Sequence, residues 1–100
     1  MQDDQYLIDR ELGAATLECL DPNWDEAELV IDLSGGGTKV SLAPVGTDGV
    51  AMPSDEVFVA VGKLIKHHRD EATDLQQAIY TFRRRPDGKW SFAADFVYPP

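Results

Sequence analysis

Residues 78–98 read A-I-Y-T-F-R-R-R-P-D-G-K-W-S-F-A-A-D-F-V-Y, and this stretch decides the fold. Ala78, Tyr80 and Phe82 alternate with Ile79, Thr81 and Arg83, the period of two that belongs to a half-buried strand. Pro86-Asp87-Gly88-Lys89 carries turn chemistry, with Pro fixing φ and Gly free to take a positive one. Trp90, Phe92, Ala94, Phe96 and Tyr98 then line one face of a second strand. So many rings on one side predict that this last strand is the centre of the core, each large ring contributing about 2–3 kcal/mol by burial.

Working back from the hairpin, residues 54–69 carry helix signals at both ends. Ser54 suits an N-cap, and Asp55 and Glu56 suit the positive end of the helix dipole. Lys66, His67, His68 and Arg69 suit its negative end, and Val57, Phe58, Val61, Leu64 and Ile65 form the apolar face. Residues 44–53 read as loop from their Gly and Pro content.

Further upstream the period of two returns. From Asp25 onward, Ala27, Leu29, Ile31 and Leu33 share one face, while Glu26, Glu28 and Asp32 share the other with Val30. Ser34-Gly35-Gly36-Gly37 is expected to supply the positive φ angles of a hairpin connection. Lys39–Ala43 answers as the second strand, with Val40 and Leu42 inward. Residues 3–20 read as the first helix on Ile8, Leu12, Ala15 and Cys19, widened by Leu17 and Leu20 and stopped by Asp21-Pro22-Asn23. Gly13 inside it costs about 1 kcal/mol of propensity relative to Ala. The expected fold is a single α+β domain over residues 1–100, ordered α-β-β-α-β-β. Two antiparallel hairpins make a four-stranded antiparallel sheet, and two amphipathic helices pack on it. Strand order stays open.

Composition narrows the function classes. The chain has 100 residues, 43% of them hydrophobic, which is globular rather than disordered. Nine Lys and Arg against eighteen Asp and Glu give a net charge of −9, which disfavours nucleic-acid binding by phosphate neutralisation. Residues 1–62 carry a net −11 and residues 63–100 a net +2, so the negative field comes from the first part of the chain. No apolar run reaches the length of a membrane span, and the acidic start Met1-Gln2-Asp3-Asp4-Gln5 does not read as a secretory n-region. A single cysteine, Cys19, excludes an internal disulfide and is read as a buried structural thiol in a reducing compartment.

No reactive constellation emerges. The Gly35–Gly37 run lacks the Lys-Ser/Thr of a phosphate loop and leads into a strand. His67 and His68 diverge by about 100° on a helix, so they read as one packed and one solvated imidazole rather than a metal pair. The serines sit in no nucleophile elbow, and the carboxylates lie on an outward strand face. Arg83, Arg84, Arg85 and Lys89 make a small basic tip expected to balance the acidic half or to serve self-association. No catalytic, cofactor-binding or metal residue is assigned.

The order of elements, the first helix ending in Pro22-x-Trp24 and the closing hairpin carry a resemblance. Asp87-Gly88-Lys89-Trp90 followed by Phe92, Phe96 and Tyr98 is similar to the terminal pattern of the YezG-like immunity proteins. These are small bacterial cytosolic proteins that neutralise the toxin domains of polymorphic or contact-dependent toxin systems. Thr38–Pro53 has fewer aromatics than the family pattern, and Pro99-Pro100 stand where acidic residues usually follow. The resemblance implies a cytoplasmic, non-enzymatic antitoxin with no cofactor, whose partner is a cognate protein toxin.

The charge pattern adds a surface. A nuclease toxin holds phosphates on a basic site, which a rigid acidic face can occupy. Asp25, Glu26, Glu28 and Asp32 are the expected face, joined by Asp9 and Glu11 on the adjoining helix. Neither nucleic acid nor membrane is expected as a partner. Two other readings stand beside this one: a small-molecule or peptide-binding module with a cavity between sheet and helices, and an assembly subunit pairing through Ile79, Val97 or Val30.

Overall fold

A computed structural model describes residues 2–35 and 37–99. The elements are α1 (Gln2–Leu17), β1 (Glu26–Asp32), β2 (Lys39–Pro44), α2 (Asp55–Asp70), β3 (Gln77–Arg84) and β4 (Trp90–Val97). The strands form one antiparallel sheet in the order β2-β1-β3-β4. Both helices pack on one of its faces, so the α+β architecture expected from the periodicities is the one the chain adopts.

The core lies between the central strands and the helices. Ala27, Leu29 and Ile31 of β1 and Ala78, Tyr80 and Phe82 of β3 are fully buried. Leu12 and Ala15 of α1 and Val57, Ala60, Val61 and Leu64 of α2 close over them. β4, expected at the centre of the core, is instead a sheet edge. Its inward rings stay partly open, with Phe92 39% and Tyr98 45% exposed. Aromatic content marks a strand's apolar face but not its position in the sheet, and β1 holds the centre because it pairs with both β2 and β3.

Local chemistry sets the helix ends. Ser54 Oγ accepts from the Val57 amide at 3.4 Å, as expected of an N-cap. At the other end Thr73 N–H donates to the His68 carbonyl and Ala72 N–H to that of Arg69, a wrapped cap that holds Ala72 at φ 56°. Phe58, placed on the apolar face by spacing, is 48% exposed, and the small Ala60 takes the core position. Helix α1 stops at Leu17 rather than residue 20, because Cys19 N–H turns back to the Thr16 carbonyl and Leu20 N–H to that of Leu17. Cys19 is therefore past the helix and only partly buried, its thiol donating to the Ala15 carbonyl at 3.5 Å.

Two glycines have positions that explain them. A Cβ on Gly13 would lie 2.8 Å from Phe92 Cε1, so this residue lets α1 seat against the aromatic edge strand. Gly88, at φ +84°, closes the β3–β4 turn, where Lys89 N–H donates to Asp87 Oδ1 at 2.9 Å. In the β1–β2 connection Gly36, part of the run expected to supply positive φ angles, lies outside the described residues. Asp32 Oδ1 accepts from both the amide and the hydroxyl of Ser34, which holds the start of the turn. No described helix is long and apolar enough to cross a membrane.

Candidate partner-binding surface

Because side chains alternate along a strand, the residues of β1 that do not enter the core point to the sheet face opposite the helices. Glu26, Glu28, Val30 and Asp32 lie on that face, in the intermediate range of exposure. Register extends the face across the sheet. Glu28 has Ala43 on one side and Thr81 on the other, and Thr81 is followed by Ala93. In the next row Ser41, Val30, Ile79 and Asp95 lie side by side. The result is a flat platform of small and β-branched residues with carboxylates set into it.

The predicted acids differ in how free they are. Glu26 faces Arg83 across the β1–β3 pair and accepts from its Nε at 3.2 Å. Asp25 is almost fully exposed and 3.8 Å from Arg84. Asp32 is spent on its turn. The hydrogen bonds from Ser34 hold its carboxyl below the usual range, and Lys39, opposite it on β2, adds to the effect. Among the described residues Glu28 makes no ion pair, and neither does Asp95, so these two present their charge unopposed. Ideal strand spacing and rise set them roughly 12 Å apart.

Asp9 and Glu11 do not join this face. They sit on α1, on the helical side of the sheet. Asp9 Oδ1 accepts from the buried Tyr80 hydroxyl at 2.6 Å and from Gln5 Nε2 at 2.7 Å, so it ties helix to sheet rather than facing a partner. Glu11 accepts from Lys63 Nζ at 2.9 and 3.1 Å, linking α1 to α2. Glu11 also borders a cleft of about 400 Å³ whose other walls include Ala14, Glu18, Asp55, Glu56 and Val59. The acids predicted as one patch therefore occupy two opposite surfaces, because the sheet lies between them.

The basic tip is mostly internal in its duties. Arg84 donates to the carbonyls of Pro22 and Trp24 at 2.6 and 2.9 Å and lies over the Trp90 ring. Arg85 pairs with Asp87 within the turn. Arg83 on Glu26 and Arg84 on the segment before β1 fasten the β3–β4 hairpin to the start of β1, while Arg85 serves the turn itself.

Sequence reasoning missed Asp95; of the histidine pair, expected as one packed and one solvated imidazole, His68 is the buried one and His67 is half-buried. Asp95 was legible by alternation, since it lies opposite the aromatic side of β4, but only the strand order puts it on the platform. His68 is buried, with Nδ1 2.8 Å from Thr73 Oγ1 and, among the described residues, no partner for Nε2. Thr73 Oγ1 also lies 3.2 Å from the His68 carbonyl, which the Thr73 amide serves too, so the hydroxyl's direction depends on the ring's tautomer. Burial lowers the imidazole's pKa, and His67 reinforces that. The His67 and His68 rings meet edge-on at 84°, with centroids 5.5 Å apart. Among the described residues no group of three His, Cys, Asp or Glu could hold a metal ion. No family model matches the chain, and no curated protein matches it either.

Proposed function

We propose that the chain is a non-enzymatic immunity protein that binds and neutralises a cognate toxin domain, a basic nuclease, in the bacterial cytoplasm. The observation that carries the reading is the open platform, where Glu28 and Asp95 stand free on a rigid sheet whose other face is committed to the core. A flat acidic surface suits a cationic active site that must exclude its nucleic-acid substrate, and the field of −9 speeds the encounter. The resemblance of the closing hairpin to the YezG-like immunity proteins points the same way.

The test captures the partner from native cells on immobilised protein, wild type against Glu28→Lys combined with Asp95→Lys. These positions are preferable to Glu26 and Asp32, whose reversal would break the contacts to Arg83 and Ser34. A cationic polypeptide with nuclease activity, inhibited stoichiometrically by the wild type, is the expected catch. Its association with the variant should be about tenfold slower and the wild-type rate should fall with salt. Capture of no cationic polypeptide, or a rate indifferent to both reversal and salt, overturns the reading.

A peptide-binding module is the second reading. The α1–α2 cleft favours it, because Ala14 and Val59 offer an apolar floor while Glu18, Asp55 and Glu56 offer charge for a lysine or arginine side chain.

A further inference from the structure

The two edges of the sheet are not alike. At β2 the outer edge is closed by its own chain, since Ala51 N–H donates to the Leu42 carbonyl at 2.9 Å and Pro44 and Lys39 sit at the strand ends. These are the devices by which proteins blunt a sheet edge. Among the described residues no segment of the chain covers the outer edge of β4, which pairs with β3 alone. It runs W-S-F-A-A-D-F-V for eight residues, with Lys89 and Pro99 lying outside the strand. We propose that β4 pairs antiparallel with β4 of a second copy, joining two sheets into one eight-stranded sheet.

Hydrogen-bond parity fixes which groups are available. Arg85 N–H donates to the Lys89 carbonyl at 2.7 Å, closing the hairpin with a bonded pair. Bonded and non-bonded pairs alternate from there, so the amides of Ser91, Ala93 and Asp95 face β3. Those of Phe92, Ala94 and Phe96 face the free edge.

A two-fold axis at Ala94 uses every one of these groups. It sets Phe92 opposite Phe96 of the second copy and Trp90 opposite Tyr98. That covers rings now left 39% exposed at Phe92 and 45% exposed at Tyr98. On the outer face the same register sets Asp95 opposite Ala93, so the two Asp95 carboxylates are not directly opposed. Charge selects this edge for a like partner too. Residues 63–100, which supply β3 and β4, carry a net +2 within a chain of −9, so two copies meet here where self-repulsion is least.

The experiment combines sedimentation equilibrium with amide hydrogen exchange over a concentration series of the full chain. A concentration-dependent dimer is expected, with exchange at Phe92, Ala94 and Phe96 slowing as it forms. Ala93→Asp, which faces Asp95 of the other copy, should weaken the dimer about fivefold, and Ala93→Lys should strengthen it by a similar factor. Val50→Asp and Val50→Lys change the net charge equally at a residue 82% exposed in a loop, and should shift the equilibrium much less. A chain that stays monomeric overturns the proposal, as does a dimer whose Phe92, Ala94 and Phe96 amides exchange unchanged. So does a dimer that Ala93→Lys and Ala93→Asp both weaken, or one that the Val50 variants shift equally.

Discussion

Tyr80, fully buried on β3, donates its hydroxyl to Asp9 of α1 at 2.6 Å, a bond between residues 71 positions apart. Burial, together with the hydrogen bond to Asp9, raises the phenol's pKa, so it remains a donor at any physiological pH. Removing the bond should therefore be a stability event. Tyr80→Phe is expected to cost about 2 kcal/mol in urea unfolding, as for a hydrogen bond to a charged group. Asp9→Ala should cost a similar amount by leaving the buried hydroxyl unpaired, and Asp9→Asn less. None of the three should slow association with a cationic partner, which separates Asp9 from Glu28 and Asp95.

His68 sets a pH dependence. Its folded pKa lies below the ordinary 6.5, because burial disfavours the charged ring, as does His67 on the same helix. Asp9 from α1 and Glu71 act the other way without reversing the shift. Tyr98 and Phe96 of the closing hairpin face the ring and bring no opposite charge. Below about pH 6.5 the unfolded chain therefore binds a proton that the folded chain resists, and stability falls as the pH drops. His68→Phe should flatten the slope of unfolding free energy between about pH 6.5 and pH 5, whereas His67→Gln should largely retain it. An unchanged slope in His68→Phe would assign the dependence elsewhere.

Ala72 holds a left-handed backbone, φ 56°, at the end of α2. A Cβ is disfavoured there, and glycine is the usual occupant of such a cap. Ala72→Gly should raise the unfolding free energy by about 0.5–1 kcal/mol, against the general trend that Ala→Gly destabilises. A shift of the thermal midpoint by several degrees upward is the measurement.

Most of the fold was legible because its signals are local. The Ser54 cap, the Asp87-Gly88 turn and the alternation through Ala27, Leu29 and Ile31 each depend on neighbours a few residues away. Gly13 shows the opposite case. In sequence it is only a weak point in a helix, and its reason is the ring of Phe92 on a distant strand. The candidate site divided in the same way. Glu28 was placed outward by alternation, and its neighbours Thr81 and Ala43 follow from register alone. Asp9 misled because a carboxylate on an amphipathic helix looks solvent-facing until a buried hydroxyl arrives from another strand.

The sequence by itself determined the element order, the inward face of every strand and the uneven distribution of charge along the chain. Period, caps and turns are properties of short segments, and short segments carry them unaided. Strand order belonged to the tertiary structure, and with it the exile of aromatic β4 to an edge, the separation of Asp9 and Glu11 from Glu28, and the addition of Asp95. Those outcomes turn on which strands share a ladder and which layer lies between two residues. Contacts between segments far apart in the chain decide both, and no local pattern records them.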